Sequence, residues 1–205
     1  MIKGNFSGFA ERIGIQLGLF FSKIPLTPNQ WTVLSIVPAI FGFYSLAYMH
    51  RMDYAIVLFA VSALIDGIDG GVARVTGAVS SLGAYLDGMI DRVVEGLLLF
   101  GLMFYGIPDY IAPGYAWIAL LLFAGTGITS YARAYAHHRN VVTDPLKLRR
   151  MGGILERPER LILVFIGMVG SFWNPLYLSQ AIALGSVLAV LTVFQRMWFV
   201  VKNAE

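Results

Sequence analysis

Asp66, Asp69, Asp87 and Asp91 interrupt segments that are otherwise apolar enough to lie in a bilayer. An aspartate at the centre of a membrane helix costs about 2.5–3.5 kcal/mol, so four would sum to roughly 10–14 kcal/mol as an upper bound. Clustered carboxylates at such depth call for a divalent cation. The chain has no cysteine, and its three histidines are His50, His137 and His138. Hard oxygen ligands without thiol or nearby imidazole favour Mg²⁺, Mn²⁺ or Ca²⁺ over zinc or copper. On a helix Asp66 and Asp69 lie one turn apart on one face, and Asp87 and Asp91 form an i, i+4 pair. If the two segments form an antiparallel hairpin, the four carboxylates converge. Gly70, Ala73, Gly83 and Gly88 remove side-chain bulk around them. Arg74 falls about 80° around the helix from Asp66, near enough to bind an anion bridged to the cation. Structural ion pairs or an ion-translocation path are the competing uses of such aspartates.

A dication held by these carboxylates, with Arg74 beside it, can bind and neutralise a phosphate-like anion. A carboxylate beside a dication stays ionised and can accept a proton from a hydroxyl.

The elements that must position these groups are membrane helices. Of 205 residues, 58% are apolar and 13% charged, and mean hydropathy is +0.71. Soluble domains carry about 45–50% apolar and about 25% charged residues. The chain is therefore expected to be an all-α integral membrane protein. Lack of cysteine excludes disulfide frameworks, iron–sulfur clusters and cysteine nucleophiles. The net charge of +3 requires no nucleic-acid partner, because membrane proteins collect Lys and Arg in cytoplasmic loops.

A crossing needs about 20 mostly apolar residues. Trp31 to Met49 and Ile111 to Ala132 are uncharged runs of that kind. Leu161 to Gln195 is uncharged but too long for one crossing, and Asn174-Pro175 divides it in two. Between them, a segment from Tyr54 through Asp66 and Asp69, and another from Ser80 to Ile107, complete six expected transmembrane helices. Basic residues fall almost wholly on one side of this topology, which puts both termini and the aspartates at the cytoplasmic face. Residues 1–23 mix Phe6, Phe9, Ile13, Leu17, Phe20 and Phe21 with Lys3, Glu11, Arg12 and Lys23, the pattern of an amphipathic interfacial helix. A signal peptide fits less well, since Glu11-Arg12 breaks its apolar region. Residues 1–205 are expected to be one membrane domain, an interfacial helix followed by a six-helix catalytic bundle over 24–205. Trp31, Tyr110, Trp117, Trp173, Tyr177 and Trp198 near span ends suit an aromatic belt. His137 and His138 are expected in a solvated loop, and Glu95 is expected to pair with Arg92.

The run from Asp66 to Arg74, followed by Gly83, Asp87 and Asp91, reproduces D-x-x-D-G-x-x-A-R-x8-G-x3-D-x3-D without a departure. It resembles the motif of the CDP-alcohol phosphotransferases. The resemblance implies two Mg²⁺ ions (Mn²⁺ as a substitute), one held by Asp66, Asp69 and Asp87 and the other by Asp66, Asp87 and Asp91, with Asp91 as general base. It implies transfer of a substituted phosphate from a CDP-linked lipid, such as CDP-diacylglycerol or CDP-archaeol, to an alcohol, with release of CMP. Gly70, Arg74 and Ser80, together with Asp66, Asp69, Ala73 and Gly83, would contact the CDP group. Asn29, Gln30, Trp31 and Thr32 are similar to the family's N-x-x-T element lining the nucleotide pocket. The resemblance also suggests homodimers.

A second stretch, Gly152-Gly153-Ile154-Leu155-Glu156-Arg157-Pro158-Glu159-Arg160-Leu161, resembles G-G-x-x-E-R-P-E-R-L of the phosphatidylinositol-phosphate and archaetidylinositol-phosphate synthases. Ser130-Tyr131-Ala132-Arg133 is similar to the end of their fourth span, with Tyr135 where that pattern has a basic residue. The resemblance implies inositol 1-phosphate as acceptor, its phosphate held by Arg133, Arg157 and Arg160. Three guanidinium groups make a chemically apt phosphate clamp; pairing of Arg157 and Arg160 with Glu156 and Glu159 is the structural alternative. Glycerol 3-phosphate or serine would be the acceptor in other members of the family. From other classes, an ion carrier or a prenyltransferase also places aspartates in membrane helices, though neither repeated halves nor a second acidic motif is present.

Overall fold

The structure, a computed structural model, describes residues 14–204, and the part of the expected interfacial helix before Gly14 lies outside them. Among the described residues the regular structure is helical, apart from a single bridge between Tyr110 and Ala112. They fall into two compact units, Met1–Leu98 and Leu99–Glu205.

In the first unit, residues 14–21 form α1, followed by α2 (Pro28–Leu34), α3 (Ile36–Ala47) and α4 (Met52–Thr76). α5 (Ser81–Tyr105) begins here and ends in the second unit. α2 and α3 are one run broken at Ser35. Pro38 cannot donate to Leu34, and its ring would crowd that carbonyl, so the helix cannot pass through undisturbed. The break is tied down by the Ser62 hydroxyl, which donates to the Ser35 carbonyl at 2.7 Å. Farther along, α3 lies so close to α4 that a Cβ on Gly42 would stand 2.8 Å from the Phe59 ring. Arg51 precedes α4, makes two hydrogen bonds to Asp53 and covers the Tyr54 ring. The core near the aspartates is Trp31, Ile68 and Val72, with Phe21, Leu26 and Ile65 packed against it.

In the second unit, α6 (Gly114–Leu120) passes into a π-helical stretch (Leu121–Ile128) and then α7 (Thr129–His138). After these come α8 (Pro145–Arg150), α9 (Arg157–Gly170) and α10 (Leu176–Lys202). α10 is the central packing partner. A Cβ on Gly167 of α9 would stand 2.7 Å from the Ala181 side chain. Ser186 donates to the Trp117 carbonyl at 2.8 Å, and Arg196 to the Thr129 carbonyl.

Six helices occupy the six expected positions, but four of them have both the length and the apolarity of a crossing. These are Pro28–Ala47, Met52–Thr76, Gly114–His138 and Leu176–Lys202. α5 has 25 residues but carries Asp87, Asp91, Arg92 and Glu95. α9 has 14 residues, short of the about 20 that span hydrocarbon unaided. The expected start of the fourth span at Ile111 moves to Gly114. Ile111 sits at φ 61°, Tyr110 and Ala112 pair across it, and Pro113 caps the helix. The division at Asn174-Pro175 holds: α9 ends at Gly170, and the Asn174 side chain accepts from the Leu176 amide at 3.0 Å.

Candidate active site

The site is built first by the start of α2. Thr27 and Gln30 form a reciprocal capping box, with Pro28 in the first turn. That fixes the rotation of a seven-residue helix and turns Asn29 and Thr32, one turn apart, towards a common side. Thr32 is almost fully buried, and its hydroxyl donates to Asp69 Oδ2. One carboxylate oxygen of Asp69 is thereby held. Losing an orienting partner of this kind typically costs about 10–100-fold in metal affinity. Thr32→Val is expected to weaken Mn²⁺ binding by about that factor, and Thr32→Ser to restore it, read by titration of the ion.

α4 ends where Gly77 adopts φ 69° and the Ala78 amide reaches the Ala73 carbonyl at 3.0 Å. This left-handed residue suits glycine. α5 then starts with the Ser80 hydroxyl accepting from the Gly83 amide at 3.0 Å. Between α2, the end of α4 and the start of α5 lies a cavity of about 440 Å³. Asn29, Thr32, Asp69 and Gly70 line it, as do Ala73, Arg74, Ser80, Gly83 and Asp87. Gly83 has a reason to be glycine: a Cβ there would stand 3.1 Å from Asn29 Oδ1 and 3.2 Å from Ser80 Oγ.

Two residues of the expected nucleotide element lie elsewhere. The Gln30 side chain accepts from the Thr27 amide at 2.8 Å and borders a neighbouring apolar groove. Trp31 is buried in the core, its ring 5.4 Å from Phe21 in edge contact. Sequence reasoning missed Pro28, Ala78, Val79 and Ala84 in the lining. They are small or apolar and carry no chemical signal.

Asp66, Asp69 and Asp87 each offer an oxygen within 4.8 Å of the others. Two ionised carboxylates at that separation repel by about 3 kcal/mol at an effective dielectric near 20. Oxygens sharing one ion with bonds of about 2.1 Å stand about 3.0–4.2 Å apart. The trio therefore fits a hard divalent ion after a small closing movement, and an all-oxygen donor set suits Mg²⁺ or Mn²⁺. Asp91, one turn farther along α5, is outside the trio, and its carboxylate lies 4.0 Å from Arg92 Nη1. Arg92 also donates to the Gly88 carbonyl. Glu95 is buried.

The second motif is fixed inside the other unit. Gly153 packs directly on α10, where a Cβ would stand 2.2 Å from Thr192 Cγ2. The Leu155 amide donates to Thr192 Oγ1 at 3.0 Å, and the Ile154 amide to Gln195 Oε1 at 3.1 Å. Arg133 Nη2 donates to the Met151 carbonyl at 2.5 Å, so this arginine also anchors the loop. Arg160 is buried, its stem over Gly125 of the π-helical stretch. Arg157 is half-buried at the first turn of α9. Tyr135 stacks on Tyr131 with ring centres 4.9 Å apart, which gives the departure from the basic pattern a packing role. His137 and His138 close α7 instead of lying in a loop.

Residues 25–199 match the model of the CDP-alcohol phosphatidyltransferases. The chain is 34% identical over 198 residues to an archaetidylinositol phosphate synthase of Aeropyrum pernix, covering 95% of this chain and 93% of that one. It is 31% identical to the enzyme of the same description from Pyrococcus horikoshii, covering 95% and 92%. The crystal structure of Mycobacterium tuberculosis phosphatidylinositol phosphate synthase with CDP-DAG bound superposes with a TM-score of 0.77 at 29% identity, over 92% of this chain and 94% of that one. The same enzyme with manganese and citrate gives 0.78 at 27% identity, over 93% and 90%. With the aspartate trio, the cavity and the unbroken motif, these likenesses lead to one conclusion: the chain is a multi-pass membrane enzyme of the CDP-alcohol phosphatidyltransferase family.

Proposed function

We propose that the protein transfers the lipid phosphate of a CDP-linked lipid to the hydroxyl of inositol 1-phosphate and releases CMP. The observation that carries this reading is the carboxylate trio at a cavity of about 440 Å³ that Arg74 also lines. The relatives named archaetidylinositol phosphate synthases, and the mycobacterial phosphatidylinositol phosphate synthase with CDP-DAG bound, support the donor and the acceptor.

In this account Asn29, Gly70, Ala73, Arg74, Ser80 and Gly83 receive the CDP group, with Arg74 on its phosphates. Asp66, Asp69 and Asp87 hold one Mg²⁺, and Asp66, Asp87 and Asp91 a second. The ions, when bound, neutralise the diphosphate and stabilise the leaving phosphate of CMP. Asp91 accepts the proton of the acceptor hydroxyl as its oxygen bonds to the lipid-bearing phosphorus and the bond to the CMP oxygen breaks. All six helices cross the membrane in one domain, with both termini and the site facing the cytoplasm, and the chain works as a homodimer.

Arg133, Arg157 and Arg160 hold the phosphate of the acceptor. Arg157→Ala, and Arg160→Lys as the milder change at a buried site, are expected to raise the inositol phosphate KM about tenfold or more while the donor KM stays put. Steady-state kinetics with each substrate varied reads the split, and equal rises for both substrates would remove these residues from the acceptor pocket.

Purified protein supplied with Mg²⁺, inositol 1-phosphate and either CDP-diacylglycerol or CDP-archaeol is expected to release CMP. Turnover with glycerol 3-phosphate or serine but not inositol phosphate would overturn the acceptor and leave the family chemistry standing.

A further inference from the structure

α1 meets α4 with no side chain between them. A Cβ on Gly18 would stand 2.4 Å from the backbone carbon and oxygen of Gly71, and a Cβ on Gly71 would stand 2.3 Å from the Gly14 carbonyl oxygen. Both α1 glycines are buried, while Ile15, Leu19 and Phe20 on the opposite face are exposed. Phe21 continues the buried face into the core around Trp31. Position 71 is one of the free positions of the aspartate motif, so this crossing is not part of the pattern that the carboxylates and Arg74 obey.

The crossing places Gly14 against one particular group. Among the described residues, a Cβ on Gly14 would meet a single heavy atom within 4 Å, Arg74 Nη2, at 2.9 Å. On the other side the guanidinium passes Gly70, whose Cβ would stand an ordinary 3.8 Å away. Arg74 closes the last turn of α4 and lines the cavity. Its long side chain would otherwise sample many rotamers.

We propose that Gly14 is a positioning residue for Arg74: α1, seated on α4 through Gly14, Gly18 and Gly71, forms a backbone wall that directs the guanidinium to the phosphates of the CDP-linked donor. This rests on the donor reading above. It gives the N-terminal amphipathic helix a part in substrate binding as well as in membrane attachment, since its apolar face and its glycine face are opposite sides of one short helix.

The test is a single methyl group. Gly14→Ala must displace only the flexible end of Arg74, so the fold survives. Its KM for CDP-lipid is expected to rise about tenfold, because misplacing a binding group by about 1 Å can cost up to about a hundredfold. The acceptor KM and the melting temperature are expected to stay at the parent values. Gly67→Ala adds the same methyl to α4 where no atom of the described residues lies within 4 Å, and should leave all three unchanged. CDP affinity by calorimetry should fall in Gly14→Ala by the same factor as the donor KM rises. That measurement needs no turnover, so it tests Gly14 separately from the donor reading, which fails if the parent releases no CMP from CDP-lipid. Parent-like CDP affinity and donor KM in Gly14→Ala, or an equal rise in both substrates' KM, would overturn the proposal.

Discussion

Asp69→Asn is expected to lower kcat/KM for CMP release by at least about a thousandfold, equivalent to about 4 kcal/mol of lost transition-state stabilisation. The substitution is nearly isosteric, and the amide oxygen can still accept from Thr32, so the local fold should persist. What it removes is one of three charges whose oxygens lie within 4.8 Å of one another. An amide oxygen is a weaker ligand for a hard dication, and the diphosphate would then meet less positive charge. Mn²⁺ affinity should fall in parallel with activity, and the melting temperature without metal should rise or hold, since mutual repulsion within the trio is relieved. Near-parent activity with near-parent Mn²⁺ affinity would remove Asp69 from the metal site.

Asp91→Asn is expected to act on a different step. As proton acceptor for the attacking hydroxyl, Asp91 should contribute about 10²–10⁴-fold to kcat. Measured at metal concentrations that saturate the second ion site Asp91 helps form, the loss should appear in kcat with CDP affinity kept, because Asp91 stands outside the cavity lining. Pre-steady-state mixing of the variant with CDP-lipid and inositol phosphate should show no burst of CMP. A variant that keeps kcat but loses CDP affinity would make Asp91 a binding residue instead.

Much of this site was legible because charges in an apolar helix are costly and helical spacing is fixed. The hairpin argument required four carboxylates to converge. Among the described residues Asp66 and Asp69 on α4 and Asp87 on α5 do so and Arg74 reaches the same cavity, whereas Asp91, one turn farther along α5, stays outside the cluster. Membership of the CDP-alcohol phosphatidyltransferase family, rather than of a carrier or prenyltransferase family, disposes of the ion-carrier and prenyltransferase alternatives. The errors have physical causes too. Asn29 to Thr32 was read as one lining element, yet a helix puts positions 29 and 32 on one side and sends Gln30 and Trp31 elsewhere. The Thr27–Gln30 capping box was present in the sequence as T-x-x-Q and explains that rotation. Hydropathy alone began a span at Ile111, but Pro113 and the turn at Tyr110–Ala112 delay the helix to Gly114. Nothing in the spacing announces the contact of Gly14 and Gly18 with Gly71, since α1 and α4 are far apart along the chain. The π-helical stretch around Gly125 is equally silent, because its extra residue per turn leaves no periodic mark over eight residues.

The most direct measurement is anomalous diffraction from crystals of the protein soaked in Mn²⁺. The account predicts a peak about 2.0–2.6 Å from oxygens of Asp66, Asp69 and Asp87 together, facing the cavity that Arg74 lines. No peak between these side chains, or manganese bound only at other residues, would contradict it.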